Sequence, residues 1–341
     1  MFKKYFSYFI DFIKEEYKFI LFLILLLIIC EYPVNYYITT GGGISDVSSR
    51  IKVADKSKAT GSFNISYVEE LQGTLLTYGL SYVIPTWERD SADNYKYTTD
   101  DSIDDINFRN DLDLKVANST ATYWAYTLAN KNVKEISSKM YVIITDNMKY
   151  KNPLKVKDEV LAIDGNNYSD LESFRNYIQT KNKDDIVNIK IKRNNKEKTL
   201  KCKIYEEDNK KIIGVGIQIL KKYEVSPKVR IKFKSSESGP SGGLITALEI
   251  YNQLTQKDIT KGYTIAGTGT IEQDGTIGEI GGVKYKILGA EKGHADYFLV
   301  PAGNNYNDAK KYKEKKHLKI KLIKVSNIEN AINKLEKLKW I

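Results

Sequence analysis

The sequence predicts an α+β chain in three parts: an N-terminal transmembrane helix, a β-rich middle domain and a C-terminal domain of mixed strands and helices. Three observations carry this. An unbroken apolar run occupies Phe19 to Cys30. Between Met140 and Tyr205, two alternating strand patterns follow a short helical one, and at 239–243 a Gly-Pro-Ser-Gly-Gly turn leads into an apolar-faced helix. The expected parts are 1–40, cytoplasmic N-terminus and anchor; 41–130, an extracytoplasmic segment packing on the C-terminal domain; 131–207, the β-rich domain; and 208–341, the C-terminal domain.

The N-terminal run decides the expected compartment. Twelve apolar residues are short for a span and also fit the core of a signal peptide. No small-x-small cleavage site follows, and Cys30 is preceded by Ile29, so a retained anchor is expected. Lys3, Lys4, Lys14 and Lys18 precede the run, and the first basic residue after it is Arg50. The charge bias predicts a single-pass cell-membrane protein with a cytoplasmic N-terminus and an extracytoplasmic body, with Tyr32, Tyr36 and Tyr37 at the outer interface. Cys30 in the span and Cys202 alone outside leave no intramolecular disulfide.

With 341 residues, the chain is long enough for two domains beyond an anchor. Its net charge of +10 invites a nucleic-acid reading. However, Lys and Asp/Glu alternate without an Arg-rich block or an aromatic-basic stacking motif, so no nucleic-acid partner is expected. An anionic wall or membrane surface is the better electrostatic partner for a basic extracytoplasmic protein.

After Gly41-Gly42-Gly43, strands are expected at Ile51–Val53 and Ser62–Val68. Pro85 to Leu114, dense in Asp, Asn, Thr and Ser, reads as a variable surface segment with some helix, and Ala117 to Leu128 as a helix. Beyond it come a strand at Met140–Ile144, a helix at Ser169–Gln179, and strands Ile186–Ile191 and Lys198–Ile204 joined by Arg193-Asn194-Asn195. The stretch Leu154-Lys-Val-Lys-Asp-Glu-Val-Leu-Ala-Ile-Asp-Gly165 resembles the Leu-x-x-Gly-Asp-x-Ile-x-x-Ile-Asp-Gly signature of bacterial PDZ domains, with Lys157 where that family usually has glycine. The resemblance implies a module that binds extended peptides along a sheet edge. The alternative is a small β-domain without a peptide groove.

The chemistry is narrowed by elimination. His294 and His317 are the only histidines, so a Ser-His-Asp arrangement has to pass through one of them. Cys30 and Cys202 give no C-x-x-C spacing, and no His-Glu-x-x-His occurs, so no metal is expected. The glycines of Gly267 to Gly282 match neither nucleotide-binding loop pattern, so no nucleotide or other cofactor is expected.

A strand over Ile231 to Lys234 is expected to deliver Ser241 to the N-terminus of a helix over Leu244–Gln253. There, unpaired amides and the helix dipole stabilise an oxyanion, and Gly239, Pro240 and Gly242 border the approach of a peptide. A serine in that place is also an ordinary N-cap. What favours a nucleophile is Lys284, which follows a hairpin turning at Asp274-Gly275 and begins a helix among Ile280, Val283, Ile287 and Leu288. A lysine is a base only as the neutral amine, and apolar surroundings favour that form. The alternative for Lys284 is one more surface lysine.

Gly239-Pro-Ser-Gly-Gly243, Gly267-Thr-Gly-Thr-Ile271, Ile280-Gly-Gly-Val-Lys-Tyr-Lys286 and Phe298-Leu-Val-Pro-Ala-Gly-Asn304 together resemble the C-terminal proteolytic domain of Lon, over about Val229 to Ile341. With an anchor and a PDZ-like module, the whole chain is similar to the membrane-anchored PDZ-Lon proteases of Gram-positive bacteria. The resemblance implies Ser241 as nucleophile, Lys284 as general base and Thr268 as a residue that orients the lysine. Ser238 and Thr270 stand where many Lon proteins carry an acidic residue and a glutamate. No ATPase segment is seen, so ATP-driven unfolding is not expected. The implied function is an ATP-independent, membrane-anchored serine endopeptidase that cleaves extracytoplasmic peptides or unstructured proteins, a secreted signalling peptide among them. The alternative is an idle peptide-binding scaffold or a regulator acting through a partner.

Overall fold

The computed structural model describes residues 2–54, 59–98, 101–146, 148–233, 237–255 and 257–341. Helix α1 (Phe2–Cys30) leads into β1 (Pro33–Thr40), β2 (Ile44–Asp46), β3 (Ile51–Val53), β4 (Ser62–Ser66) and β5 (Glu69–Thr74). The short α2 (Leu75–Leu80), β6 (Glu88–Ser91) and the long α3 (Ile103–Leu128) follow. The middle of the chain holds β7 (Asn132–Thr145), β8 (Glu159–Ile163), α4 (Leu171–Gln179), β9 (Ile186–Arg193), β10 (Lys196–Lys203), β11 (Tyr205–Glu207), β12 (Lys210–Ile212) and β13 (Val215–Ser226). The last part runs β14 (Val229–Ile231), α5 (Gly243–Thr255), β15 (Thr264–Gly267), β16 (Thr270–Ile271), β17 (Ile277–Gly278) and α6 (Val283–Lys292). It ends with β18 (Tyr297–Pro301), α7 (Asn304–Lys316), β19 (Lys321–Val325) and α8 (Ile328–Glu336).

Two compact units result, one built from residues up to Gly41 with Val68–Tyr95, the other from Gly42–Tyr67 with Lys96–Ile341. In the first, β1 is the centre of a three-stranded antiparallel sheet ordered β5-β1-β6 and buries Ile38 completely. Tyr36 stacks at 4.8 Å on Tyr78, and Arg89 lies 3.8 Å over the Tyr82 ring.

This unit corrects the expectation of a transmembrane anchor. Among the described residues, no helix is long and apolar enough to cross a membrane. Helix α1 has 29 residues, but Lys14, Glu15, Glu16 and Lys18 interrupt its middle. The apolar part from Phe19 to Cys30 rises only about 18 Å, against a hydrocarbon core of roughly 30 Å. Glu31 and Pro33 then end the helix, and the β-favouring run Val34 to Thr40 forms a strand instead of prolonging a span. Tyr36 and Tyr37 lie in β1 of a sheet, and the single-pass localisation with an extracytoplasmic body is not supported.

In the second unit, residues 132–226 form an antiparallel five-stranded sheet ordered β10-β9-β8-β7-β13. Alternation along β9 turns Val187, Ile189 and Ile191 inward, onto Phe174 and Ile178 of α4 and onto Leu154. The β9–β10 hairpin turns at Asn194 and Asn195, both with positive φ, as expected for asparagines in a tight hairpin. Lys157, where a glycine is usual, also adopts a positive φ of 79°.

The remaining sheet is ordered β19-β18-β15-β4-β2. Strands β4, β15, β18 and β19 are parallel, and β2 is antiparallel at the edge. Its two faces feed separate cores. Phe63, Ile265 and Leu299 pack toward α5, α8 and the Ala121–Tyr126 part of α3, whereas Ala266, Phe298 and Val300 pack toward α6 and α7. Helix α5 is buried all round rather than on one face. Two of its buried polar side chains bond backbone, Gln253 bonding Val53 N and Ile51 O at 2.9 Å and Asn252 bonding Ile259 N at 2.9 Å.

Three local expectations differ from the structure. Helix α3 begins well before Ala117, at Ile103, because Ser102 and Asp105 form a capping box. It takes up much of the expected surface segment Pro85–Leu114, of which residues 99 and 100 lie outside the described residues. The strand expected at Ile231–Lys234 is Val229–Ile231, paired with β3, and Lys234 lies outside the described residues.

Candidate functional site

Ser241 sits in the turn that precedes α5. Gly239 has a φ of 83°, a conformation in which a side chain is strained, and its N–H donates to Asn110 O on α3 at 3.2 Å. Gly242 and Gly243 are required by close packing. A Cβ at Gly242 would lie 2.8 Å from Ile65 Cδ1, and one at Gly243 would lie 2.8 Å from Ile271 Cγ2. The turn is held from β15 and its continuation. Gly269 N donates to Ser241 O at 2.8 Å, Thr268 Oγ1 donates to the same carbonyl at 3.2 Å, and Leu244 N donates to Gly269 O at 3.1 Å. Pro240 carries no N–H and the Gly239 N–H is engaged, so the amides at the head of α5 that can face a ligand are those of Ser241 and Gly242.

The lysine brought to Ser241 is Lys286 rather than Lys284. Lys286 Nζ lies 3.0 Å from Ser241 Oγ and 3.3 Å from Thr268 Oγ1, and the residue is 5% exposed. Lys284 is half-buried, with Nζ 5.1 Å from the Tyr285 ring centroid. Two residues along an α-helix turn a side chain by about 200°, so only one of this pair can face the serine. Val283, Ile287 and Ala290 are turned to the sheet, and Lys286 shares its face with Gly289 and Gly293. Those two glycines, three and seven residues on, were the signal in the sequence that this face packs closely.

Thr268 is fully buried, as expected of an orienting residue. Its one hydroxyl proton goes to the Ser241 carbonyl, so its lone pairs accept from Lys286. Thr270 bonds the Glu272 carboxylate at 2.7 Å. His294 and His317 are exposed and occupy positive-φ positions just after α6 and α7, away from any described bond to Ser241.

Helix α3, which supplies the Asn110 carbonyl, is fixed by buried charge. Arg109 bonds Asp101 at 2.6 Å and Ile143 O at 3.1 Å. Burial works against the Asp101 carboxylate, but the Arg109 hydrogen bonds and charge prevail and hold it below the usual carboxylate range. Asp113, further along, is pushed up by burial, which the hydrogen bond from Gln218 at 2.8 Å only partly offsets.

Residues 218–337 match the Lon protease (S16) C-terminal proteolytic domain, and residues 131–204 match the PDZ domain. The Lon protease of Aster yellows witches'-broom phytoplasma is 33% identical over 99 residues, which cover 29% of this chain and 12% of that protein. The Lon protease of Flavobacterium johnsoniae is 33% identical over 88 residues, covering 26% of this chain and 10% of that protein. The chain thus spans about a tenth of the length of the curated relatives it matches. Among solved structures, the PDZ domain of the SdrC-like protein of Listeria monocytogenes is 24% identical with a TM-score of 0.21, covering 23% of this chain and 85% of that one. Its counterpart from Listeria innocua is 26% identical with a TM-score of 0.21, covering 23% of this chain and 92% of that one. The proteolytic domain and the Lon relatives together support a serine peptidase.

Proposed function

From a chain that carries both a Lon-type proteolytic domain and a PDZ domain, we propose a serine endopeptidase that works through a Ser241–Lys286 dyad and acts on peptides or unstructured polypeptides without nucleotide. The observation that carries this is the 3.0 Å approach of a nearly buried Lys286 amine to the Ser241 hydroxyl. Burial disfavours the ammonium, and the neutral amine is the form that accepts a proton. Lys286 Nζ also lies 3.3 Å from Thr268 Oγ1, which holds the amine beside Ser241, and as the neutral amine it accepts the Ser241 Oγ proton.

The reaction follows as two acyl transfers. Lys286 takes the Ser241 proton as Oγ attacks the peptide carbonyl, and the oxyanion is met by the Ser241 and Gly242 amides at the positive end of α5. Lys286 then protonates the leaving amine, and afterwards takes a proton from the water that hydrolyses the ester. The PDZ domain docks an extended segment of the substrate by strand addition.

The test is covalent labelling of the full chain with a serine-directed fluorophosphonate, mapped by mass spectrometry. Labelling of Ser241 that is lost in Lys286→Ala and retained in Lys284→Ala is expected. No labelling of folded wild type, or labelling elsewhere, would favour a peptide-binding scaffold.

A further inference from the structure

Helix α6 carries Lys286, and its N-cap is Gly282 in the left-handed region, with no side-chain cap hydrogen bond. Its position against Ser241 is held by contacts from outside the helix. The face that bears Lys286 continues through Gly289 and Gly293. A Cβ at Gly289 would lie 3.1 Å from Gly43 backbone atoms, and one at Gly293 would lie 2.5 Å from Ile44 Cγ1. This face therefore rests directly on the segment at β2. From β4, the neighbour of β2, the fully buried Ser66 hydroxyl donates to the backbone carbonyl of Lys286 at 2.6 Å. None of Gly43, Ile44 and Ser66 lies within the matched residues 218–337.

We propose that Ser66 is a positioning residue for the dyad lysine, fixing the first turns of α6 so that Nζ meets Ser241 Oγ. This rests on the reading of Ser241 and Lys286 as the dyad. The hydrogen bond reaches the main chain of the lysine residue itself, so displacement of α6 here moves Nζ directly. In a preorganised site, a shift on the order of 1 Å costs up to about 100-fold in rate. A buried serine could instead serve stability alone, and the two roles separate experimentally. Loss of stability lowers the melting temperature and the folded fraction, whereas loss of positioning lowers turnover per folded molecule.

The experiment is steady-state hydrolysis of an unstructured peptide by the full chain, as wild type, Ser66→Ala, Ser66→Cys, Gly289→Ala and Ser241→Ala, with kcat normalised to folded protein. Ser66→Ala and Gly289→Ala are expected to lower kcat about 10-fold or more with KM unchanged. Both should displace the acid limb of the pH–rate profile, because the surroundings of the lysine change. Ser66→Cys, similar in shape and a weak donor, should fall between, and it carries the comparison if Ser66→Ala does not fold. Variants with wild-type kcat and pH profile, whatever their melting temperatures, would overturn the positioning role. Cleavage that survives Ser241→Ala would overturn the dyad itself, so the two failures are distinguishable.

Discussion

Lys286 Nζ stands 3.0 Å from Ser241 Oγ, and Thr268 Oγ1 closes the triangle at 3.3 Å from the same nitrogen. The serine comes from the turn before α5, the threonine from the end of β15 and the lysine from α6, so three elements must be in register at once.

Thr268→Val keeps the shape of the side chain but removes both hydrogen bonds. Because Thr268 directs the amine without touching the reacting carbon, kcat for peptide cleavage is expected to fall about 10- to 100-fold with little change in KM. Steady-state kinetics on an unstructured peptide check this.

Gly242→Ala places a Cβ 2.8 Å from Ile65 Cδ1. Overpacking of that kind typically costs about 1–3 kcal/mol. Denaturant unfolding should show the loss, and Ile65→Val in the same chain should recover part of it by shortening the side chain in the way.

The Asp101–Arg109 pair is almost sealed from solvent, with side chains 2% and 6% exposed. Asp101→Asn leaves a buried guanidinium without its charge partner and is expected to cost about 3–5 kcal/mol. The pH dependence has a definite sign. The folded-state carboxyl lies below its ordinary value of 3.8, so its contribution is fully present above that pH and is lost as pH falls through the lower folded value. The gap between wild type and Asp101→Asn in denaturation curves, full at neutral pH, should narrow as pH is lowered below 3.8.

Lys157 holds a φ of 79° that glycine adopts without strain. Its ion pair with Asp104 is largely solvated, since Asp104 is 85% exposed, and is worth little. Lys157→Gly is therefore expected to stabilise the chain by about 0.5–1 kcal/mol, seen as a higher unfolding midpoint.

The serine turn, the β9–β10 hairpin and the α5 helix were legible because each rests on local chemistry: glycines in close quarters, asparagines at positive φ, a buried apolar run. Thr268 was pointed to by the family resemblance alone. The lysine was half legible. Lys284 and Lys286 lie on one helix with apolar neighbours on both sides, and the packing of Gly289 and Gly293 on Gly43 and Ile44, marked in the sequence only by the spacing of those glycines, selects between them. The N-terminal run was misleading for a similar reason. The run Phe19 to Cys30, with tyrosines beyond it at 32, 36 and 37, reads as an anchor and its interface, whereas Glu31 and Pro33 separate a helix too short to span from a strand that pairs with β5 and β6. The strands β2 and β4 gave no sign from sequence alone that they complete the sheet beside α6, since parallel pairing joins segments some 200 residues apart, such as Phe63 and Ile265.

The most direct measurement is peptide hydrolysis without nucleotide by wild type, Ser241→Ala, Lys286→Ala and Lys284→Ala, followed by mass spectrometry. Loss of at least about 100-fold in kcat for Ser241→Ala and Lys286→Ala, with Lys284→Ala near wild type and the wild-type rate rising with pH, is the predicted result. Full activity in Lys286→Ala, or its loss in Lys284→Ala with fold intact, would contradict it.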